Sequence, residues 1–457
     1  MKTLKFGGAS LKDRQSFNET LEIILAEADR KALVLSAIYG MTDFLESAIR
    51  MARQDEASIS NSISEIRKRH FDLVDGCVAD EKQATETKTV LDKRLQKLER
   101  LLYGIAYTEE LTPKNHALIL SFGERMSVIL MEGILKTRSV SAQAFESDRI
   151  GIVTDDSFLN ATAMLSLARE NLQAKIQPLI ESGVLPIITG FFGCNREGKV
   201  TLFGRNSSDY SAAVIAYGLR ADCLEIWKDV DGFMSADPKI VPSAAPIDKL
   251  SYYEAAELSY FGAKILHPRT VEPLIAESIP LVIRNIYHPS LAGTEIGADE
   301  HVKQTVVKSV TYNEGIAVLK IKGAGVGYKP GVISEIGSRL SDCGVNIYSI
   351  ITSQTCINLL IDRKDSEIGH RALKTLGNGI IDSIEHSDDD VVIAVVGAGL
   401  KRTPGLAAKI FNAVARKQIN IEMISMGASD VATYFIVKEP HLTTAVNAIH
   451  QAFFQKS

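Results

Sequence analysis

The stretch "MKTLKFGGAS" occupies residues 1–10. Leu4 to Phe6 read as the end of a strand, Gly7 and Gly8 break it, and Ser10 and Asp13 have capping-box-like spacing, so a helix is expected to open at Ser10. Without a Cβ, the two glycines let the backbone approach a ligand closely. A helix N-terminus attracts anions. Lys5 stands just before this turn, at what reads as an exposed strand end. It is either a surface lysine in a salt bridge or a lysine set against phosphate. The segment lacks the G-x-x-x-x-G-K-[ST] order of a P-loop, so the decision falls to the rest of the chain.

Working outward, the first 300 residues alternate apolar runs with helical patterns. "KALVLSA", "VLPIITGFFG", "DCLEIW" and "IPLVIRN" read as buried strands, "SSDYSAAVIAYGLR" and "YYEAAELSYFGA" as amphipathic helices. The alternation predicts a mainly parallel sheet sandwiched by helices. Residues from Met51 to Pro113 are charged and helix-like, an excursion from the sheet with a solvated face. The turn-rich "YHPSLAGTEIGADEHVKQT" marks a boundary near residue 300.

An internal repeat follows. "KGAGVGYKPGVISEIGSRLSDCGVNIYSI" matches "VGAGLKRTPGLAAKIFNAVARKQINIEMI", with Gly331 against Gly405 and Asn346 against Asn420, each pair 74 apart (405 − 331 = 420 − 346 = 74). Two copies are too few for a solenoid and read as two small α+β domains, over 308–385 and 386–457, with the possibility of exchanged strands. The glycines do not have dinucleotide-fingerprint spacing.

The chain has 457 residues, 46% hydrophobic and 23% charged, with a net charge of −5. These are the proportions of a globular protein of several domains. No global basic footprint points to nucleic acid, and no apolar run is long enough for a membrane span. Five scattered cysteines, none in a C-x-x-C pair, argue against a disulfide framework. A reduced, cytoplasmic protein is expected.

Further residues carry candidate chemistry. Ser36, Thr42 and Asp43 of "LVLSAIYGMTDFL" sit where ligands of open α/β sheets bind, though Thr42 or Asp43 could simply cap a helix. Glu124 of "SFGERMS" is either a first-turn dipole partner or an acceptor for a substrate ammonium. In "TLFGRNSSDYSAA", Arg205 offers a fork for a carboxylate beside Ser207, Ser208 and Asp209. "IWKDVDGFMSADPKIV" lacks the glycine and closing glutamate of an EF-hand, leaving a nucleotide loop or a solvated turn. Lys264 follows a glycine in "YFGAKILHPRTVEPL", and His267 reads as a packed or capping histidine.

Together "KFGGAS", "SAIYGMTDFL", "SFGERMS", "GRNSSDYSAA", "WKDVDGFMSADPK" and "FGAKILHP" resemble, in order and spacing, the aspartate kinases of the amino-acid kinase superfamily, and the C-terminal repeat resembles their tandem ferredoxin-like ACT domains. The resemblance implies a catalytic domain over residues 1–300 that phosphorylates the β-carboxylate of L-aspartate with MgATP, the first step towards lysine, threonine and methionine. It places Lys5, Asp209 and Lys264 in catalysis. Ser36, Thr42, Glu124, Arg205 and Ser208 would bind aspartate, Glu124 at its amino group and Arg205 at its α-carboxylate. Lys5, Phe6, Gly7, Gly8, Lys228, Asp229, Met234, Lys239 and Lys264 would hold the nucleotide, and Mg²⁺ would arrive on ATP with no metal site of the protein's own. An amino-acid effector, threonine or lysine, would meet Gly331, Val332, Asn346, Ile347 and Gln354, and a homodimer or larger homo-oligomer is implied.

This chain departs from the family pattern at several points. Ala9 replaces a threonine, Tyr39 a small residue, Lys228 a threonine and Met234 a tyrosine. Tyr348 stands where lysine-inhibited relatives carry an aspartate, which favours threonine over lysine. The alternatives are a catalytically weak amino-acid sensor and a kinase of another acid such as glutamate or N-acetylglutamate. A fused homoserine dehydrogenase is not expected, since the repeat runs to residue 457.

Overall fold

The computed structural model describes residues 1–28, 30–298, 306–374, 376 and 381–455. They fall into two compact units.

The first unit comprises Met1–Phe233, Pro246–Ala256 and Ile265–Asp299. Its strands are β1 (Lys2–Phe6), β2 (Lys31–Leu35), β3 (Ala142–Phe145), β4 (Leu185–Thr189), β5 (Phe192–Cys194), β6 (Val200–Leu202), β7 (Cys223–Lys228), β8 (Lys249–Ser251), β9 (Leu281–Asn285) and β10 (Thr294–Gly297). Eight form one sheet in the order β3-β4-β2-β1-β7-β9-β10-β8, and β5 and β6 make a separate hairpin. Neighbours in the large sheet are parallel except β9 and β10. The apolar runs read as strands are β2, β4, β7 and β9. β2, β4 and β7 alternate little, with residues such as Leu33, Val34 and Leu35 all buried, as in a sheet covered on both faces, whereas β9 alternates buried with half-buried residues.

The charged excursion forms two helices, Ser58–Cys77 and Glu81–Thr108. Leu91, Leu95, Leu98, Leu102 and Ile105 line the buried side of the second at three- and four-residue spacing. The helix expected at Ser10 starts instead at Arg14. Asp13 caps it, accepting from the Ser16 N–H at 2.9 Å, while the Ser16 hydroxyl accepts from the Asp13 N–H at 2.9 Å. Ser10 is unavailable as a cap because its buried hydroxyl donates to the Trp227 carbonyl at 3.1 Å. Gly8–Leu11 make a 3-10 turn.

The second unit comprises Met234–Ala245, Glu257–Lys264 and the chain from Glu300 on. Two segments of the expected 1–300 domain thus pack with the C-terminal region. Its strands are β11 (Ser309–Asn313), β12 (Ile316–Lys322), β13 (Ile347–Thr352), β14 (Cys356–Asp362), β15 (Ser383–Ser387), β16 (Asp390–Val396), β17 (Met423–Met426) and β18 (Ala432–Lys438). They build two antiparallel sheets, β13-β14-β12-β15 and β11-β16-β18-β17. The repeat is therefore nested. The β12–β15 segment forms one sheet, and β11, which precedes it, pairs with β16 beyond it.

Helices Val332–Asp342 and Ser366–Lys374 accompany the first sheet; Leu406–Ala415 and Leu442–Phe454 accompany the second. The matched glycines Gly331 and Gly405 precede equivalent helices with φ of 92° and 84°, the left-handed region that glycine tolerates. Ala236 and Val241 join the core of the second sheet beside Val310 and Phe435. The Val310 N–H donates to the Ser235 carbonyl at 2.9 Å, fixing that segment to β11.

Candidate active site

β1 lies between β2 and β7, so the C-terminal ends of these strands open onto one crevice, the usual ligand position in an open α/β sheet. β1 delivers Lys5, β7 delivers Lys228, and the first turn of the helix Ser208–Gly218 delivers Asp209. The Lys5 ammonium is 2.5 Å from Asp209 Oδ1, and the Lys228 ammonium is 3.0 Å from Oδ2. Lys5 is only 4% exposed and Asp209 3%, which corrects the expectation of an exposed strand end. Pairing of β1 with β7 draws Lys5 inward. Burial alone would raise the Asp209 carboxyl, but Lys228 and Lys5 overcome it and hold the group well below the usual carboxylate range. A Cβ on Gly7 would stand 3.2 Å from the Lys5 ammonium, so the glycine keeps that ammonium's surroundings open.

Glu124 reaches the crevice by another route. A Cβ on Gly123 would come within 2.7 Å of the Ala37 Cβ, so only glycine lets the helix Phe122–Lys136 approach the turn after β2 this closely. The Ala37 N–H then donates to Glu124 Oε1 at 3.0 Å. Oε2 is buried and has no hydrogen-bond partner among the described residues. Burial pushes the carboxyl up to about 8 against the pull of the Ala37 N–H, Lys5 and Arg125. This is a desolvated acceptor with capacity left over, beyond what a helix-dipole partner needs.

Arg125, which the sequence reading did not single out, fixes the start of that helix. Its guanidinium donates to Ser121 Oγ at 3.0 Å, pairs with Glu146 and with Asp148 at 3.0 Å, and lies over the Phe192 ring. An arginine heading the apolar run "MSVIL" was the available signal, since burial there demands such partners.

Of the other candidates, Ser208 is buried and Ser36 and Thr42 are half-buried, Thr42 in the first turn of the helix Met41–Gln54. That helix is preceded by Gly40 and has no side-chain cap. Arg205 is exposed and pairs with exposed Asp43 at 2.5 Å. Phe6 is buried and stacks on Trp227. Gly8 lies in the 3-10 turn and Asp229 is exposed. His267 caps a short 3-10 turn, accepting from the Arg269 N–H at 3.3 Å. Burial lowers its pKa although Asp209 opposes the shift.

Met234, Lys239 and Lys264 belong to the second unit. The Met234 carbonyl accepts from Ser309 Oγ at 2.8 Å, and Lys239 and Lys264 are exposed. In the repeat, Gly331 precedes its helix, Val332 opens it and Ile347 opens β13; Asn346 and Gln354 are exposed. The Gly327 N–H donates to the Gln354 carbonyl at 3.2 Å, joining the glycine loop to that turn. Tyr348 is committed to packing. Its carbonyl accepts from the Tyr260 hydroxyl at 2.9 Å, the two rings are 5.3 Å apart, and burial raises its hydroxyl pKa.

Among the described residues, no three His, Cys, Asp or Glu side chains gather as metal ligands, and no helix is long and apolar enough to cross a membrane. A paired lysine set, one deep carboxylate and a glycine turn at the C-terminal ends of central strands suit a bound phosphate.

The sequence profile of the amino acid kinase family matches residues 2–285, and an ACT domain profile matches 393–453. The chain belongs to the amino acid kinase family. Its relatives in sequence are aspartokinases. A bifunctional aspartokinase/homoserine dehydrogenase of Haemophilus influenzae is 31% identical over 99% of this chain and 56% of its own length. The chain thus spans little more than half of that relative. Chloroplastic aspartokinase 3 of Arabidopsis thaliana is 30% identical over 99% of this chain and 81% of its own. In structure, Escherichia coli aspartokinase III in complex with aspartate and ADP matches all of both chains at 26% identity with a TM-score of 0.87.

Proposed function

We propose that this protein is an aspartate kinase, transferring the γ-phosphoryl group of ATP to the β-carboxylate of L-aspartate to give 4-phospho-L-aspartate and ADP. The observation that carries the reading is the buried Lys5–Asp209–Lys228 cluster at the crevice, together with Glu124 and its unused oxygen on the helix that packs against the turn after β2. Aspartokinase relatives along the chain support the choice of acid.

In this reading the β-carboxylate oxygen attacks the γ-phosphorus, a new P–O bond forms, and the bond to the bridging oxygen breaks as ADP leaves. A carboxylate is already ionised at neutral pH, so no general base is required. Catalysis is then positioning and charge neutralisation. Lys5 and Lys228 face the phosphates, and Asp209 keeps both ammonium groups in place. Glu124 receives the substrate ammonium, and Arg205 leaves Asp43 for the α-carboxylate. Ser36, Thr42 and Ser208 line the aspartate. Gly7 and Gly8 approach the phosphates, with Phe6 and Asp229 as further nucleotide contacts. Lys5 and Lys228, held by Asp209, would bind the phosphates of MgATP, and the Mg²⁺ would supply further neutralisation of phosphate charge.

The ACT repeat serves as the effector-binding part, with Gly331, Val332, Asn346, Ile347 and Gln354 at the site and the working form a homodimer or larger. A coupled ADP-release assay with aspartate, glutamate and N-acetylglutamate tests the reading. Aspartate-dependent release is expected; release with another acid alone would reassign the substrate. No release with any acid would leave an amino-acid sensor.

A further inference from the structure

His267 caps a 3-10 turn and still has one ring nitrogen to spare. The turn, Pro268–Thr270, is closed by the Thr270 N–H, which donates to the His267 carbonyl at 2.9 Å. Arg269 fastens it to the helix Ser208–Gly218. Its guanidinium lies over the Tyr210 ring, 4.5 Å from the centroid, and donates to the Tyr210 hydroxyl at 3.3 Å and to Thr162 Oγ1 at 3.1 Å. Tyr210 follows Asp209 directly, so the turn that carries His267 is held beside the one that presents the Asp209 carboxylate. Burial lowers the His267 pKa, Asp209 opposes the shift, and Arg269 and Lys228 reinforce it. The ring is therefore neutral at pH 7 and lies within electrostatic reach of Asp209 and Lys228.

The cap decides which nitrogen carries the proton. Nδ1 accepts from the Arg269 N–H at 3.3 Å, so in the neutral ring the hydrogen sits on Nε2. Among the described residues Nε2 meets no hydrogen-bond partner, yet it is not sealed from solvent. An N–H donor beside two ammonium groups and one carboxylate suits an anionic acceptor, to which it adds a directed hydrogen bond without adding charge. We propose that His267 donates from Nε2–H to a phosphate oxygen of ATP, as a third donor beside Lys5 and Lys228. The proposal rests on the nucleotide position assigned above and not on the choice of acid.

Two substitutions separate the donor from the cap. Asparagine sets its carbonyl oxygen near the place of Nδ1 and keeps an acceptor for the Arg269 N–H, but reaches nothing at Nε2. Glutamine sets an amide nitrogen near Nε2 and gives up the cap. Calorimetry of MgATP on the full chain, with no acid substrate present, reads the donor; thermal melting reads the cap. His267→Asn should weaken MgATP by about fivefold or more, as for loss of one hydrogen bond to a charged group, with an unchanged melting temperature. His267→Gln should bind MgATP within about twofold of the native chain while melting at a lower temperature, because the donor survives and the cap does not. Native affinity in His267→Asn, equal weakening in both variants, or no MgATP binding by the native chain would overturn the assignment. Because no acid enters these measurements, a failed aspartate assay would revise the substrate and leave this comparison intact.

Discussion

Lys5 and Asp209, 204 positions apart (209 − 5 = 204), meet at 2.5 Å in the interior of the crevice. With Lys228 on the other carboxylate oxygen, the cluster carries two positive charges and one negative. An arriving phosphate thus finds both ammonium groups already oriented, which limits reorganisation during the reaction.

Lys5→Met should lower kcat by roughly 10² or more, as for loss of a charge partner in a transition state. It should also destabilise the fold. Breaking a buried ion pair costs about 3–5 kcal/mol, and Lys228 remaining on Asp209 puts the loss near the lower end. Steady-state kinetics and thermal melting check both parts. Near-normal turnover would remove Lys5 from the phosphates.

Glu124 predicts a proton signature. With its carboxyl raised to about 8 by burial, the group is mainly protonated at pH 7. Pairing with an ammonium requires ionisation, so aspartate binding at pH 7 should release a proton. Calorimetry in buffers of different ionisation enthalpy measures this directly, and Glu124→Gln should abolish it. The apparent KM for aspartate should fall as pH rises towards 8. In the free protein the folded form holds this proton more tightly than the unfolded chain. The contribution of Glu124 to stability is therefore greatest below the unfolded value near 4.5 and declines as pH rises through about 8.

Arg205→Ala should raise the KM for aspartate and leave that for ATP nearly unchanged. The Arg205–Asp43 pair is exposed on both sides, and such pairs contribute about 0–1 kcal/mol, so melting should hardly move. Asp43→Asn should lower the aspartate KM by freeing the guanidinium. Equal losses for both substrates in Arg205→Ala would mean that the residue supports the fold of the loop.

Threonine should inhibit at least as strongly as lysine. Tyr348 cannot offer a negative charge near neutral pH: burial raises its hydroxyl pKa above the ordinary value near 10. Of the two aspartates whose charges reach Tyr348, Asp362 is already paired with Lys364 at 3.1 Å, which leaves a long cationic side chain to compete with that lysine. Inhibition assays with both amino acids, on the native chain and on Tyr348→Ala, decide the point; potent lysine-only inhibition that persists in the variant would contradict it.

Much of the architecture was legible in local pattern. Strands β2, β4, β7 and β9 were visible as apolar runs, and the 74-residue offset exposed the repeat. What escaped depended on distant pairing. The burial of Lys5 follows from β7 lying beside β1, and the unused Glu124 oxygen follows from Gly123 pressing against Ala37. The helix start was misplaced by local reasoning because Ser10 gives its hydroxyl to Trp227, a partner no nearby residue announces. Of the two readings of Lys5, the salt bridge is present, but it is buried with Asp209 and not at the surface.

The pairing of β11 with β16 has a consequence for how this chain is made. As synthesis proceeds from the N-terminus, β11 is available well before its partner. The whole β12–β15 sheet is completed in the interval, and only then can the outer sheet close around the loop it forms. The inner module thus has the opportunity to fold first, and the outer one inherits a loop shortened by that folding, which reduces the entropy lost on closure. Cutting the chain between β15 and β16 would not separate two modules; it would strand β11 on the wrong fragment.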